Sequence, residues 1–141
     1  MQTFREVKVW EKAHRLCLHV HQSTGEYPED ERQALAAQTR RVSVYVPAKI
    51  AEGCGRGGDK DLVRFLESAR GYAAELEYLL LVGRDLGHLA PEAADALSEE
   101  VVEVQKMLYG FIRSVKTRMN GEPSGKSGRA EREENLAVEL A

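Results

Sequence analysis

The sequence predicts an all-α protein, an antiparallel up-down four-helix bundle. Three observations carry that reading. Four segments repeat apolar residues at steps of three and four, the mark of a helix with one face turned to a core. The last of them, Leu97, Val101, Val104, Leu108, Phe111 and Val115, holds a strict alternation of fours and threes, a coiled-coil-like seam. Short Gly- and Pro-containing loops join the segments, which makes consecutive helices antiparallel neighbours. Nothing repeats at a longer fixed period, so a solenoid is not indicated.

The first segment runs from about Phe4 to Ser23, with Val9, Trp10, Ala13, Leu16, Cys17 and Val20 on one face. Gly25-Glu26-Tyr27-Pro28 ends it. The second runs from about Pro28 to Cys54. Glu29, Asp30 and Glu31 occupy its first turn, where negative charge suits the helix dipole. Leu35, Thr39, Val42, Val46 and Ile50 follow helical spacing. Pro47 is the anomaly, because proline inside a helix costs about 3 kcal/mol. Val42, Val44 and Val46 also alternate, so a strand competes. The helical spacing continues to Ile50 beyond the proline, which favours a kinked helix.

Gly53-Cys54-Gly55-Arg56-Gly57-Gly58 reads as a break, and Asp59 as the N-cap of the third helix. That helix carries Leu62, Phe65, Leu66, Ala69, Tyr72, Ala73, Leu76, Leu79, Leu80 and Gly83 as far as about Leu86. Gly87 fits the position just past its end, and Pro91 the first turn of the fourth helix. After Met119 the composition becomes that of a flexible linker, Asn120 to Gly128. Residues 129–141 could form a short helix through Leu136, Val138 and Leu140, too short to hold alone. Residues 1–118 are therefore read as the bundle domain and 119–141 as a flexible polar tail.

Composition bounds the class. The chain has 141 residues, enough for one domain, with 43% hydrophobic and 30% charged residues, an ordinary soluble profile. No apolar run approaches the roughly 20 residues of a membrane span; Leu79-Leu80-Leu81-Val82 stops at Gly83. Met1 to Glu6 carry no signal-peptide core. Cys17 and Cys54 make neither a disulfide framework nor a metal cluster, and a reducing cytoplasm is expected. Against 20 Lys+Arg stand 23 Asp+Glu, a net charge of −3. The total hides an asymmetry. Residues 59–100 hold 4 basic and 10 acidic residues, whereas 101–118 hold 4 and 1. Such asymmetry gives either a basic binding face or neighbouring helices of opposite sign.

Candidate chemistry is sparse. His14 and His21 are seven residues apart, about 10 Å of rise, too far to ligate one metal ion. His19 lies on another face and His88 in a turn, and no Glu-x-x-His pattern of di-iron bundles is present. Cys17 and Cys54 lack a His/Asp partner set by spacing. The glycines from Gly53 to Gly58 lack the phosphate-loop pattern and follow no strand. Glu52, in a small apolar run, is placed to pair with Arg41 or Arg56 across helices. No catalytic constellation, metal site or cofactor is expected. The basic residues are the remaining candidates. Lys8, Lys12 and Arg15 form one stripe on the first helix, and Arg40, Arg41, Lys49 and Arg56 add charge to the second. Little aromatic interleaving accompanies them.

Four blocks of the chain resemble the four-helix bundle proteins encoded in bacterial 23S rRNA intervening sequences. The blocks are Phe4-x-x-Val7-x-Val9-Trp10-x-Lys12-Ala13-His14, the stretch from Gln38 to Arg56, Arg64-Phe65-Leu66-x-x-Ala69-x-Gly71-x-x-x-Glu75-Leu76-Glu77 followed by Asp85-Leu86-Gly87, and Met107-Leu108-x-Gly110-Phe111-Ile112. They fall in order across about residues 4–118. The family usually has Ser where this chain has Tyr45, Asn where it has Lys49 and Ser where it has Tyr72. A tyrosine for a serine at a helix interface implies local repacking. The resemblance implies an up-down bundle assembled as a ring-like homopentamer, with proline at the place of Pro47. It also implies kinship with the accessory protein of diversity-generating retroelements, a basic pentamer that binds nucleic acid and a reverse transcriptase.

The expected function is that of a non-enzymatic homo-oligomeric bundle. It would bind nucleic acid, RNA foremost, or a nucleoprotein partner such as a reverse transcriptase, with no membrane involvement. Lys8, Lys12, Arg15, Arg40, Arg41, Lys49 and Arg56 are the expected contacts, repeated around the ring so that weak phosphate contacts act together. The alternative is a protein–protein scaffold whose basic residues are consumed by pairing within and between subunits.

Overall fold

Local backbone preferences set where each helix begins. The computed structural model of the chain describes residues 3–121. Phe4–Glu6 form a 3-10 turn, and Val7 then takes an extended backbone (φ −88°, ψ 119°) that separates this turn from the first α-helix. The first regular helix, α1, is Lys8–Thr24. The periodic segment therefore starts four residues later than Phe4. Phe4 nevertheless folds back onto the bundle, its ring 4.9 Å from that of Trp10, which in turn stacks on His14 at 5.1 Å.

The second predicted helix is continuous but not uniform. It opens as α2 (Glu29–Glu31), widens into a π-helical stretch (Arg32–Ala36) and continues as α3 (Ala37–Gly55). The wide turn re-phases the helix, so Ala36, Thr39, Val42, Ser43, Val46, Pro47 and Ile50 all become buried. Pro47 lies inside α3 and the helix runs through it. The strand alternative for Val42–Val46 is not realised.

The glycine-rich break is shorter than its composition implies. α3 persists through Gly55, and only residues 56–58 leave the helix before α4 (Asp59–Asp85). Gly53 stays helical because α4 approaches it closely: a β-carbon there would lie 3.0 Å from the Phe65 Cβ. Asp59 is not the N-cap. Gly58 holds that position without a side-chain cap bond, and Asp59 is the first helical residue. Its carboxylate instead accepts two bonds from Arg118, at 3.0 and 2.8 Å.

At the other end of α4, Gly87 adopts φ +79°, as its position past the helix end requires. The His88 and Gly87 N–H groups close on the Gly83 and Arg84 carbonyls, both at 2.9 Å, satisfying two terminal acceptors. Pro91 then starts α5 (Pro91–Met119), 29 residues and about 43 Å long. The expectation for residues 129–141 lies outside the described residues.

The helices pack in a closed cycle: α1 touches α3 and α5, α3 touches α4, and α4 touches α5. Leu16, Val20, Ile50, Leu66, Leu76, Val101, Val104 and Leu108 are fully buried at its centre. Each such side chain contributes about 1.5–3 kcal/mol of burial. Cross-helix pairs run in opposite numerical order. Along α4 and α5 they are Asp59 with Arg118, Glu67 with Lys116, Glu77 with Gln105, and Arg84 with Asp95. Along α1 and α3 they are Cys17 with Ser43 and His21 with Arg40.

Candidate nucleic-acid interface

α3 and α4 bring three cations to one aromatic ring. Phe65 sits one turn and a half into α4, with its ring at the seam with α3. The Lys49 Nζ lies 5.6 Å from its centroid, the Arg56 guanidinium 5.1 Å and the Arg64 guanidinium 4.9 Å. Each distance is within the range of a cation–π contact. Two carboxylates moderate the charge. Glu52 meets Lys49 at 3.3 Å and Asp61 meets Arg64 at 3.2 Å. Glu52 thus pairs with a neighbour on its own helix, three residues back, rather than with Arg41 or Arg56. Helix geometry places such a partner within reach at little entropic cost.

The remaining expected contacts do not join this group. Lys8 and Arg15 share the carboxylate of Glu11, at 3.8 and 2.8 Å. Lys12 reaches across to Glu103 of α5 at 3.1 Å. The α1 stripe therefore borders the α1–α5 seam, on the opposite side of the helix cycle from Phe65. Arg41 is exposed on the outer side of α3 and forms no hydrogen bond or ion pair among the described residues. Arg40 turns inward. Its Nε donates to the Thr24 hydroxyl at 2.7 Å and its Nη2 to the His21 carbonyl at 3.0 Å. It satisfies a carbonyl left open at the end of α1 and fixes α3 against that end.

A second basic group lies on the other flank of α4. Arg70 (α4) stands over the ring of Tyr109 (α5) at 5.5 Å. Glu67 bonds Arg70 at 3.4 Å and approaches Lys116 at 3.6 Å. Arg64, Phe65, Arg70 and Tyr109 were not among the expected contacts. The first three sit in a segment whose charge sum is strongly acidic, which masked them. Tyr109 falls three residues after Lys106 and four before Arg113, a basic-aromatic helical spacing readable in retrospect. The scarcity of aromatics expected among the cations thus does not hold at these two seams.

Two histidines on α1 make polar contacts. His21 Nδ1 lies 2.9 Å from the Cys17 carbonyl, and His19 pairs with Glu100 at 2.7 Å. Burial pushes the Cys54 thiol up from its ordinary value, which makes it a poorer nucleophile. Among the described residues no group of three or more His, Cys, Asp or Glu side chains is placed to hold a metal ion. No helix among them is long and apolar enough to cross a membrane.

In a comparison with known protein families, the family described as 23S rRNA-intervening sequence protein matches residues 5–110. The chain belongs to this family. No curated protein matches it. Tyr45, Tyr72 and Lys49 gather at one seam, between α3 and α4. Tyr45 of α3 and Tyr72 of α4 lie ring to ring at 4.9 Å and pack against each other. Lys49, the third, is one of the cations on Phe65.

Proposed function

We propose that the chain is a non-catalytic, homo-oligomeric member of its family that binds nucleic acid, RNA foremost, or a nucleoprotein partner, in the cytoplasm. The observation that carries this reading is the convergence of Lys49, Arg56 and Arg64 on Phe65. Like charges gather at one place against mutual repulsion, and a phosphate backbone would relieve that repulsion. Their carboxylate partners are surface groups, and such pairs contribute about 0–1 kcal/mol, little enough for a polyanion to displace. Lys8, Lys12, Arg15 and Arg41 add weaker phosphate contacts elsewhere on the surface, and Arg40 acts as a positioning residue for α3.

The reading includes an up-down topology, supported by the opposite numerical order of every cross-helix pair. It also includes a ring of five copies. Support comes from apolar groups on the outward faces, Val44 and Tyr45 on α3 among them. A ring repeats each modest basic group, so that several weak contacts engage one strand together.

The test is a salt-titrated binding measurement on the full chain, paired with light scattering for the assembly mass. Retention of RNA at low salt with a steep salt dependence is expected. Lys49→Glu combined with Arg56→Glu should lower the slope of log K against log salt by about 2, one for each lost phosphate contact. No retention of RNA or DNA at low salt would end the nucleic-acid reading, and a monomeric mass would end the ring.

One observation favours a second reading, a protein–protein scaffold. Tyr78 (64% exposed), Leu81 and Leu86 form an apolar surface toward the C-terminal end of α4. With Ala74, Ala94 and Ser98 the first two border a groove of about 370 Å3 between α4 and α5. Loss of nucleic-acid retention with a preserved oligomer would favour this reading.

A further inference from the structure

We propose that the Tyr109 pocket binds single-stranded nucleic acid by stacking a base, making the α4–α5 seam a strand-selective site distinct from the phosphate-binding cations on Phe65. The inference rests on the nucleic-acid reading above and adds to it the form of the ligand.

Four observations carry it. Tyr109 is 54% exposed although aromatic. Its position on α5 turns it away from the buried row of Val104, Leu108 and Val115. Burial of an aromatic ring is strongly favourable, yet here the Arg70 guanidinium stands over the ring at 5.5 Å and about half of the residue stays in water. Beside it lies a shallow pocket of about 210 Å3 with Ile112 in its wall. That is smaller than the roughly 300–1,000 Å3 of a pocket that encloses a whole small molecule. It suits one planar ring laid against the tyrosine.

The charge of the rim fits a polynucleotide. Arg70 and Lys116 line the pocket together with Glu67, and Arg113 borders it. Glu67 is shared between Arg70 and Lys116 at 3.4 and 3.6 Å, so it neutralises neither fully. Thr117 and Asn120 add hydrogen-bonding groups at the edge. An aromatic face flanked by cations is the general arrangement for unpaired strands, because every base has a stacking face and every nucleotide a phosphate. In a duplex the bases are already stacked and cannot reach Tyr109.

The two seams lie on the two flanks of α4. Arg64 and Arg70 are six residues apart on α4, about 9 Å of rise, and Glu67 stands between them. A strand crossing the N-terminal half of α4 would pass from the Phe65 cations to the Tyr109 pocket.

The experiment is fluorescence anisotropy of the full chain with a labelled oligouridine, the matching oligothymidine and a DNA duplex of equal length. The variants are Tyr109→Ala, Tyr109→Phe and the Lys49→Glu, Arg56→Glu pair. Tyr109→Ala should weaken both single strands roughly tenfold and leave the duplex unchanged, while Tyr109→Phe binds like the parent. The paired variant should weaken all three probes. Unequal loss between oligouridine and oligothymidine would identify which strand chemistry the site prefers. If Tyr109→Ala leaves single-strand binding intact while the paired variant abolishes it, the stacking site is wrong and the nucleic-acid reading survives. If the parent binds no probe, both fall. If Tyr109→Ala changes the assembly mass by light scattering, the face is a subunit contact and the proposal is overturned.

Discussion

At the scale of single residues, the tightest fit in the bundle lies where the α1–α2 loop tucks under the end of α4. Tyr27 is 1% exposed, and its hydroxyl has no hydrogen-bond partner among the described residues. The space it occupies exists because residue 83 is glycine: a β-carbon there would clash with the Tyr27 hydroxyl. Gly83→Ala should therefore destabilise the protein by about 1–3 kcal/mol, as overpacking does. Tyr27→Phe removes an unsatisfied polar atom and should be neutral or stabilising by up to about 1 kcal/mol. It should also recover part of the loss in the double variant. Urea midpoints read all three, and an unchanged midpoint for Gly83→Ala would refute the fit. The phenol adds a pH signature. Burial, and secondarily the charge of Glu31, holds its proton above the ordinary value of 10.0. The folded state then binds the proton more tightly than the unfolded chain. The associated stability is present below pH 10 and is lost as the pH climbs through the raised value. Tyr27→Phe should flatten that alkaline decline. None of this was legible in the sequence, where Tyr27 read only as part of a terminating turn.

At the scale of elements, the α3–α4 seam is joined by an aromatic pair. Tyr45 and Tyr72 meet ring to ring there. Their contribution should be coupled: alanine at both positions should cost about 0.5–1.5 kcal/mol less than the sum of the single losses. A double-mutant cycle by denaturant unfolding measures it, and additivity within a few tenths of a kcal/mol would dismiss the pairing. Helix identities were legible because burial imposes a strong period on long segments, as Leu97 to Val115 illustrates. Helix ends were less so. Asp59 looked like a cap by residue type, yet a charged partner at the end of α5, remote in sequence, took its carboxylate. The π-helical stretch at Arg32–Ala36 was invisible for a related reason. A one-residue shift of phase in Leu35-Ala36-Ala37 leaves apolar residues on both candidate faces, and only the packing against neighbouring helices chooses between them.

At the scale of the whole molecule, the question is what covers the outward faces. Val44 is 44% exposed on α3, so Val44→Asp should barely alter the stability of a lone bundle, as surface changes generally do. In the proposed ring the same charge would be desolvated between subunits. The expected result is a folded helical protein of reduced mass by light scattering; an unchanged mass would place the subunit contact elsewhere. Charge was the least legible property at this scale. A net of −3 and an acidic third helix concealed Arg64 and Arg70, because segment sums ignore which side of a helix a residue faces. The seven expected contacts were found by type and spacing along one helix at a time. Lys8, Lys12 and Arg15 end at one seam, Lys49 and Arg56 at the opposite one, while Arg40 turns inward, and that division arises from packing that no single helix encodes. One aromatic stack near the start of the chain has a practical consequence. Trp10 is the only tryptophan, held between Phe4 and His14 on α1, a helix that carries the weaker contacts Lys8, Lys12 and Arg15 and lies apart from the Phe65 and Tyr109 seams. Its emission is a built-in gauge of bundle integrity. It allows each variant's folding to be followed in the same cuvette as its titration with oligonucleotide, with no added label on the protein.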